Sequence, residues 1–338
     1  MVVFKTGGLC RVKTHTLFFI VSTMTILIIA GLSSVQAGEG DNWQAMHPEW
    51  LWFDGFETQD TLTVNYQDVS SNGMSVVTGE AFEGTHSMRQ SYALGQVDAG
   101  WIIRVSDNGF PDHVFMRWYH KFEAGFQGFP PKMARIRYRL RSGDWSSPYA
   151  VHCWLETDGV LALDVAATNS AQANSAGWLP IARSSFSFAD ARNIGRWICF
   201  EMEVKLNTPG ATDGLYRLWA DDSLIVERST VDLRGATTFK INEMMLDCYW
   251  NEGSPKTQSR YYDNLVISTR KIGRVANAAV YGNGMKNLSR TKALPRYSII
   301  LATGRSFTHS GEQVFDIRGR QIRNDQVRPN GIYVSVKR

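Results

Sequence analysis

Four arginines occupy alternate positions between residues 135 and 141, and their spacing predicts a cationic face on one β-strand. Arg135, Arg137, Arg139 and Arg141 are separated by single apolar or aromatic residues, so their guanidinium groups would stand about 6–7 Å apart. Because like charges repel, a repeating anion would stabilise the row, and arginine binds carboxylate or sulfate through paired hydrogen bonds. The alternative is a solvent-exposed strand face that also carries neighbouring Asp and Glu side chains.

Two further strand-like runs carry side chains suited to proton transfer or anion binding. In residues 114–122, Arg117 and Tyr119 share one face, while His120 lies on the other. In residues 150–156, His152 and Trp154 share a face. Tyr249 stands near the end of another run. Each histidine or tyrosine also has an ordinary alternative role in packing or structural hydrogen bonding.

Glu201 and Glu203 share one strand face about 6–7 Å apart, a separation that two glycosidase carboxylates can use. This pair supports a hydrolase alternative. However, a cation, Lys205, takes the next position on that face. An outer, solvated face is therefore the competing interpretation.

Charge divides the chain into segments and argues against a general nucleic-acid binder. Residues 38–269 hold 19 Lys and Arg against 29 Asp and Glu, while residues 270–338 hold 14 against 3. A nucleic-acid-binding domain would be basic. We expect no nucleic-acid partner, and we expect a monomer.

The N-terminal 37 residues have the pattern of a secretory signal peptide. Lys5, Arg11 and Lys13 precede an uncharged apolar stretch over residues 17–32, and small residues follow at 35–37. The sequence therefore predicts a secreted or cell-surface protein with no membrane span after signal removal. Of the cysteines beyond the signal, Cys153, Cys199 and Cys248 lie in strand-like runs, which predicts buried thiols or one disulfide.

Short strand-like runs separated by Gly, Asn, Asp and Pro fill residues 38–273, and no sustained helical period occurs. This pattern predicts an all-β fold, a two-sheet sandwich or jelly roll. Residues 274–296 are rich in Asn, Ala and Gly and are predicted as a linker. Alternation returns in residues 297–338, which predicts a small C-terminal β module.

Several segments, taken in order, resemble the concanavalin A-like β-jelly rolls of polysaccharide lyases, notably the glucuronan and alginate lyases. They include FDGFE at 53–57, GTHSMR at 84–89, WICFE at 197–201 and RYYDNLVIS at 260–268. The resemblance implies β-elimination on an acidic, uronate-containing polysaccharide. The same fold also carries hydrolases and non-catalytic carbohydrate-binding or adhesion modules, which stay as alternatives.

A uronate lyase needs cations or donors that quench the substrate carboxylate, together with a base and an acid. The resemblance implies that Lys132, after a Gly-rich loop, lies in the cleft. We expect Arg117, Arg135, Arg137, Arg139 and Trp154 to bind substrate, and Lys132, Tyr119, His120, His152 or Tyr249 to supply the chemistry.

Two more expectations come from resemblance. Jelly rolls of this kind bring a Glu near the first strand and an Asp on the last strand together, which implies a structural Ca²⁺ site at Glu57 and Asp263. The tail motifs VFDIRGR at 314–320 and PNGIYV at 329–334 resemble the C-terminal sorting domains of the type IX secretion pathway. That resemblance implies export machinery as a partner, with an ordinary adhesion module as the alternative.

Overall fold

A computed structural model describes residues 38–58, 61–141 and 145–275, together with the backbone of three C-terminal strands. The chain divides into two compact units, Met1–Tyr281 and Gly282–Arg338. The predicted signal peptide and almost all of the predicted linker lie outside the described residues. None of the described helices is long and apolar enough to cross a membrane.

The first unit is built almost entirely from short strands. Among its described residues, the two short helices are α1 (Trp43–Met46) and α2 (Thr61–Val64), and a 3₁₀ turn covers Ala191–Asn193. The strands are β1 (Trp50–Asp54), β2 (Asp68–Ser70), β3 (Met74–Thr78), β4 (His86–Tyr92), β5 (Trp101–Val105), β6 (His113–Phe122), β7 (Lys132–Arg137), β8 (Tyr149–Leu155), β9 (Val160–Ala167), β10 (Ala182–Ser187), β11 (Ile198–Lys205), β12 (Gly214–Ala220), β13 (Ser223–Val231), β14 (Glu243–Leu246) and β15 (Gln258–Ser268).

These strands form two antiparallel sheets, which confirms the predicted all-β sandwich. The eight-stranded sheet has the order β13-β12-β11-β6-β15-β4-β3, with β1 paired to β15. The seven-stranded sheet has the order β10-β9-β8-β7-β14-β5-β2. Neighbours in each order are mostly distant in sequence, as expected for jelly-roll connections.

A continuous apolar core fills the space between the sheets because alternate residues of each strand point inward. Trp118 and Phe200 enter it from the eight-stranded sheet, and Val151 and Leu163 enter from the seven-stranded sheet. All four are almost fully buried. The residues between them along each strand must therefore lie on the outer faces, where any binding site has to be built.

The turn between β8 and β9 fixes which outer residues face each other. Gly159 has a φ of +80°, and a Cβ there would come within 2.8 Å of the Phe129 ring, so this position needs glycine. The turn is closed by a hydrogen bond from the Gly159 amide to the Glu156 carbonyl. The resulting register sets His152 opposite Asp164.

The described part of the second unit consists of three strands: β16 (Arg296–Leu301), β17 (Glu312–Asp316) and β18 (Ile332–Lys337). They form one antiparallel sheet with β18 in the middle. This agrees with the small β module expected from the returning alternation. Its role in sorting stays a prediction.

Candidate active site

The outer face of the seven-stranded sheet carries a cleft of about 510 Å³, referred to below as the groove. Strands β7, β8 and β9 form its floor, and the β7–β8 loop forms one wall. Cross-strand pairing sets Arg135 beside His152 and His152 beside Asp164. The groove is lined by Lys132, Arg135, Trp145, His152, Trp154, Asp164, Trp178 and Asn251, among others.

Lys132 and Arg135 are the two cations that line the groove. Arg135 is buried and forms an ion pair with Asp247, just beyond the end of β14. Its Nε has no hydrogen-bond partner among the described residues. Lys132 is half-buried and forms no ion pair in the described part of the chain. Burial lowers the pKa of Lys132, and the Asp247 charge opposes that shift.

Asp247 is held by several groups, so its partner Arg135 is fixed in place. Its Oδ1 accepts hydrogen bonds from the amides of Cys248 and Tyr249, at 2.8 and 3.3 Å. Although burial favours the protonated form, the charges of Arg135 and Lys132 lower the pKa of this carboxyl. Asp247 is therefore ionised and compensates the Arg135 charge.

Arg260 supports the same region from beneath the sheet. It is fully buried in the core, and its Nη2 donates to the backbone carbonyls of Lys132 and Asp247. Its Nε donates to Gln90 Oε1 at 2.8 Å. One core cation thus holds the backbone under both a groove cation and its neighbouring carboxylate.

Tyr249 stands next to Lys132 and is 39% exposed. The Lys132 Nζ lies 4.3 Å from the centre of the Tyr249 ring, which is a cation–π distance. A phenol hydroxyl beside an ammonium, at the edge of a cleft, is suited to proton transfer with a bound substrate.

His152 lies on the groove floor in its neutral form at ordinary pH. Burial and the nearby Arg135 charge lower its pKa to about 3. Its ring centre is 6.0 Å from that of Trp178. A neutral imidazole both donates and accepts hydrogen bonds, so it can orient sugar hydroxyls.

The pKa of His152 predicts a loss of stability in acid. At pH values between about 3 and 6.5, the unfolded chain binds more protons at His152 than the folded protein does. The contribution of His152 to the free energy of unfolding therefore decreases as the pH falls. Asp164 acts oppositely between about 3.8 and 6 because its pKa is raised by burial and Glu156. We expect the Tm of His152→Gln to fall less than the Tm of the parent when the pH is lowered from 7 to 4.5. An equal loss in both proteins would contradict this assignment.

Arg137 and Arg139, predicted to bind substrate, already have protein partners. Arg137 is buried, and its Nε and Nη2 bind both oxygens of Glu243, at 2.5 and 3.0 Å. The Arg139 Nη2 lies 2.6 Å from Asp68 Oδ2. Strand β7 ends at Arg137, so the row is shorter than its spacing suggests. These arginines are therefore buried structural ion pairs and not open anion sites.

Arg117, Tyr119 and His120, predicted to bind substrate or to supply the chemistry, do not line the groove. They lie on β6 of the opposite sheet. Arg117 is fully buried, 2.6 Å from Glu39, and Tyr119 stacks on Phe82 and accepts a hydrogen bond from the Val275 amide. His120 points into the core and is 0% exposed. Burial lowers the pKa of His120 well below its ordinary value, so it is neutral and out of reach of a polymer.

Glu201 and Glu203 also lie on the outer face of the eight-stranded sheet, away from the groove. Both are nearly buried, so the expected solvated face is wrong as well. The Glu201 carboxylate accepts hydrogen bonds from the amides of Ile272 and Gly273. Glu203 binds His113 at 2.7 Å and Arg217 at 3.2 Å. They tie down neighbouring segments and are poorly placed for hydrolysis.

We expect Glu201→Gln to keep the polysaccharide-cleaving activity within about twofold of the parent, because catalysis follows from groups that touch substrate. The check is a reducing-end assay run beside an absorbance assay for unsaturated uronate. Reducing ends that form without the absorbance and disappear in Glu201→Gln would restore the hydrolase alternative.

Glu57 and Asp263, predicted as calcium ligands, lie on the outer side of the eight-stranded sheet. Glu57 accepts hydrogen bonds from the amides of Thr85 and His86. Asp263 is buried and accepts from the amides of Phe82 and Glu83. Their oxygens are thus already engaged by N–H donors. Within residues 38–58, 61–141 and 145–275, no group of three or more acidic, His or Cys side chains is arranged to hold a metal, so the fit to calcium is poor.

A larger cleft of about 620 Å³ lies beside these carboxylates. Asp41, Asp54, Glu57 and Glu83 line it, and its lining includes no lysine or arginine from the part of the chain that the structure describes. An acidic wall repels an anionic polymer, so this cleft is a poor substrate site despite its size.

Sequence reasoning missed several groove residues. Asp164 is the one charged residue in the apolar strand β9, and that isolation was the available signal. Trp145 and Trp178 stand in loops, where no period marks a face. Arg260 was unpredictable because its role depends on contacts between strands distant in sequence.

The three cysteines are free and buried, so no disulfide forms among them.

Comparison with known proteins finds similarity to polysaccharide lyases. The family model described as polysaccharide lyase 14 matches residues 151–265, which is 115 of the 338 residues. The matched segment contains His152, Asp164, Asp247 and Tyr249, whereas Lys132 and Arg135 precede it. No curated protein matches the chain by sequence.

Two solved structures share the fold. A marine alginate lyase of the same family number from Aplysia kurodai is 15% identical with a TM-score of 0.53, covering 65% of this chain and 99% of its own. An alginate lyase from a Chlorella virus is 16% identical with a TM-score of 0.50, covering 62% and 96%. Together with the two antiparallel sheets, these similarities confirm the jelly-roll fold. The family match supports a polysaccharide lyase.

Proposed function

We propose that the protein is a secreted polysaccharide lyase that cleaves a uronate-containing polymer by β-elimination in the groove of the seven-stranded sheet. The observation that carries the proposal is that Lys132 and Arg135 line that groove, with the Tyr249 ring against Lys132 at its edge. The family match over the strands that form most of the groove supports the same activity.

The reaction begins with removal of the proton at C5 of the uronate, next to its carboxylate. Negative charge then gathers on the carboxylate oxygens, so cations there stabilise the transition state. Lys132 supplies a charge that no protein carboxylate directly pairs among the described residues, and Arg135, which also lines the groove, adds a second positive charge. The carbanion electrons form the C4–C5 double bond as the bond from C4 to the glycosidic oxygen breaks.

Tyr249 and His152 are the groups available to move the protons. Tyr249 is more exposed and stands beside Lys132, so its phenolate, the form with a free lone pair and a negative charge, takes the C5 proton and becomes the hydroxyl. His152 is neutral and lies deeper on the groove floor, so it hydrogen-bonds and orients the sugar. The departing glycosidic oxygen receives its proton from the tyrosine hydroxyl or from water.

The decisive experiment incubates the purified full-length protein with a panel of polyuronates, heteropolysaccharides containing uronate, and neutral glucans. The readout is the ultraviolet absorbance of the unsaturated uronate that β-elimination leaves. A rise with any acidic polymer supports the lyase. A flat trace with every polymer, together with retained binding in affinity electrophoresis, would support the non-catalytic binding module.

We also propose export through the N-terminal signal, sorting by the C-terminal module, and a monomeric state. The resemblance of residues 314–320 and 329–334 to type IX sorting sequences supports the sorting role. Fractionating cells that express the full chain, or a chain ending at residue 281, tests it. Equal export of both proteins would contradict the role of the tail.

The structural calcium site is kept as a proposal with a thermal test. If Glu57 and Asp263 hold Ca²⁺, adding calcium after chelation raises Tm, because a ligand that binds only the folded state stabilises it. Glu57→Gln should then abolish the increase. The engaged carboxylate oxygens favour the opposite result, an unchanged Tm. That result would contradict a calcium site at Glu57 and Asp263.

A further inference from the structure

The cations of the groove are too few and too well compensated for a dense polyanion. Arg135 is paired with Asp247, Arg137 with Glu243 and Arg139 with Asp68. Lys132 is the one groove-lining cation that forms no ion pair among the described residues. A chain of consecutive uronates brings one negative charge for every sugar, and most of these charges would find no cation here.

Strand β9 adds to the groove floor a charge of the wrong sign for such a polymer. Asp164 lines the groove opposite His152. Burial and the Glu156 charge raise its pKa to about 6, so the carboxylate is still largely ionised at neutral pH. A second uronate bound on this side would meet a like charge in a partly buried site, where repulsion is strong.

Three indole rings line the same groove and favour neutral sugars. Trp154 is the cross-strand neighbour of Lys132 on β8. Trp178 lies on the β9 side near His152, and Trp145 stands in the β7–β8 loop, with the Arg135 guanidinium 5.2 Å from its ring centre. Sugars without a charge present C–H faces that pack on aromatic rings, and binding clefts use such faces widely.

We propose that the natural substrate is a heteropolysaccharide in which single uronates are separated by neutral sugars, and not a run of consecutive uronates. This inference rests on the proposed lyase function. The uronate to be cleaved lies at Lys132, beside Arg135. Its neutral neighbours pack against Trp154 and Trp178 on one side and against Trp145 on the other.

The test compares kcat/KM of the full-length protein on two kinds of polymer. One is polyglucuronate, and the other is a polymer whose repeat places a single glucuronate among neutral sugars, such as deacylated gellan. We expect kcat/KM to be at least about tenfold higher on the second, which corresponds to about 1.4 kcal/mol. Equal or faster turnover of polyglucuronate would overturn the inference.

Two variants test the residues that carry the argument. Trp178→Ala should lower kcat/KM on the mixed polymer about tenfold, since a buried ring contact is lost, and should change the rate on polyglucuronate far less. Asp164→Asn should raise kcat/KM on polyglucuronate and so reduce the difference in kcat/KM between the two polymers. Trp197→Ala, on the outer face of the other sheet, is the matched control and should change neither rate. Equal effects of Trp178→Ala and Trp197→Ala on kcat/KM would contradict the role of Trp178 as a ring on which neutral sugars pack.

Failure of the lyase function and failure of this inference give different results. If no polymer yields the unsaturated product, the lyase proposal fails, and affinity electrophoresis with the same two polymers still decides the preference. Stronger retardation by the mixed polymer, lost in Trp178→Ala, supports the groove assignment. Stronger retardation by polyglucuronate overturns it.

Discussion

Lys132→Ala is expected to lower the rate of β-elimination by about 10²–10³-fold while leaving the fold intact. This size is typical when one group that stabilises developing negative charge is removed. Lys132 is half-buried in the groove, forms no ion pair in the described chain, and lies 4.3 Å from the Tyr249 ring. Its removal therefore takes away transition-state stabilisation without leaving a buried partner unpaired, so Tm should change little.

The measurement is the initial rate of absorbance increase, with Tm recorded on the same preparations. Lys121→Ala is a matched control, because Lys121 lies on the outer face of the opposite sheet and pairs with Glu80. Its rate should stay within about twofold of the parent, since surface ion pairs contribute little. Equal losses in Lys121→Ala and Lys132→Ala, or none in either, would remove Lys132 from the chemistry.

Arg137→Ala is expected to act on stability, with a cost of about 3–5 kcal/mol. Removing one partner of a buried ion pair leaves an uncompensated charge, and Arg137 and Glu243 are both nearly inaccessible, with exposed side-chain fractions of 2% and 0%. For a domain of this size the change lowers Tm by roughly 10 °C. Thermal melting of the purified variant checks this prediction.

A double variant separates the ion pair from the volume of its side chains. Arg137→Met combined with Glu243→Leu removes both charges and keeps most of the packing, so it should regain much of the lost Tm. A Tm for Arg137→Ala close to the parent value, with activity abolished, would mean that Arg137 binds substrate after all.

The fold was predictable because it follows from local patterns that the sequence carries. Alternation in residues 114–122 and 150–156 marks strands, and turns such as Asp158-Gly159 mark their ends. The structure contains β6 and β8 at those places. The strand with the arginine row was predicted to extend to Arg141, but it ends at Arg137. Beyond that end, the Asn242 side chain forms hydrogen bonds with the backbone amide and carbonyl of Arg139.

The site was only partly predictable, because a period of two shows which residues share a face but not which sheet the strand joins. His152 and Trp154 on β8 lie in the groove, whereas Arg117 and Tyr119, with the same pattern, lie on the opposite side of the sandwich. The arginine row raised a second difficulty. Its partners Asp247, Glu243 and Asp68 come from other strands or their ends, and charge pairing of that kind is invisible before the strands are aligned.

The contacts of Arg260 bear on how the protein fails when heated. This one core side chain joins the backbone under Lys132 and Asp247 to Gln90 on β4 of the other sheet. The groove cannot loosen at that point unless the interior between the sheets opens too. Enzymes whose active sites stand on mobile loops lose activity below their melting temperature, but here thermal inactivation and global unfolding should coincide.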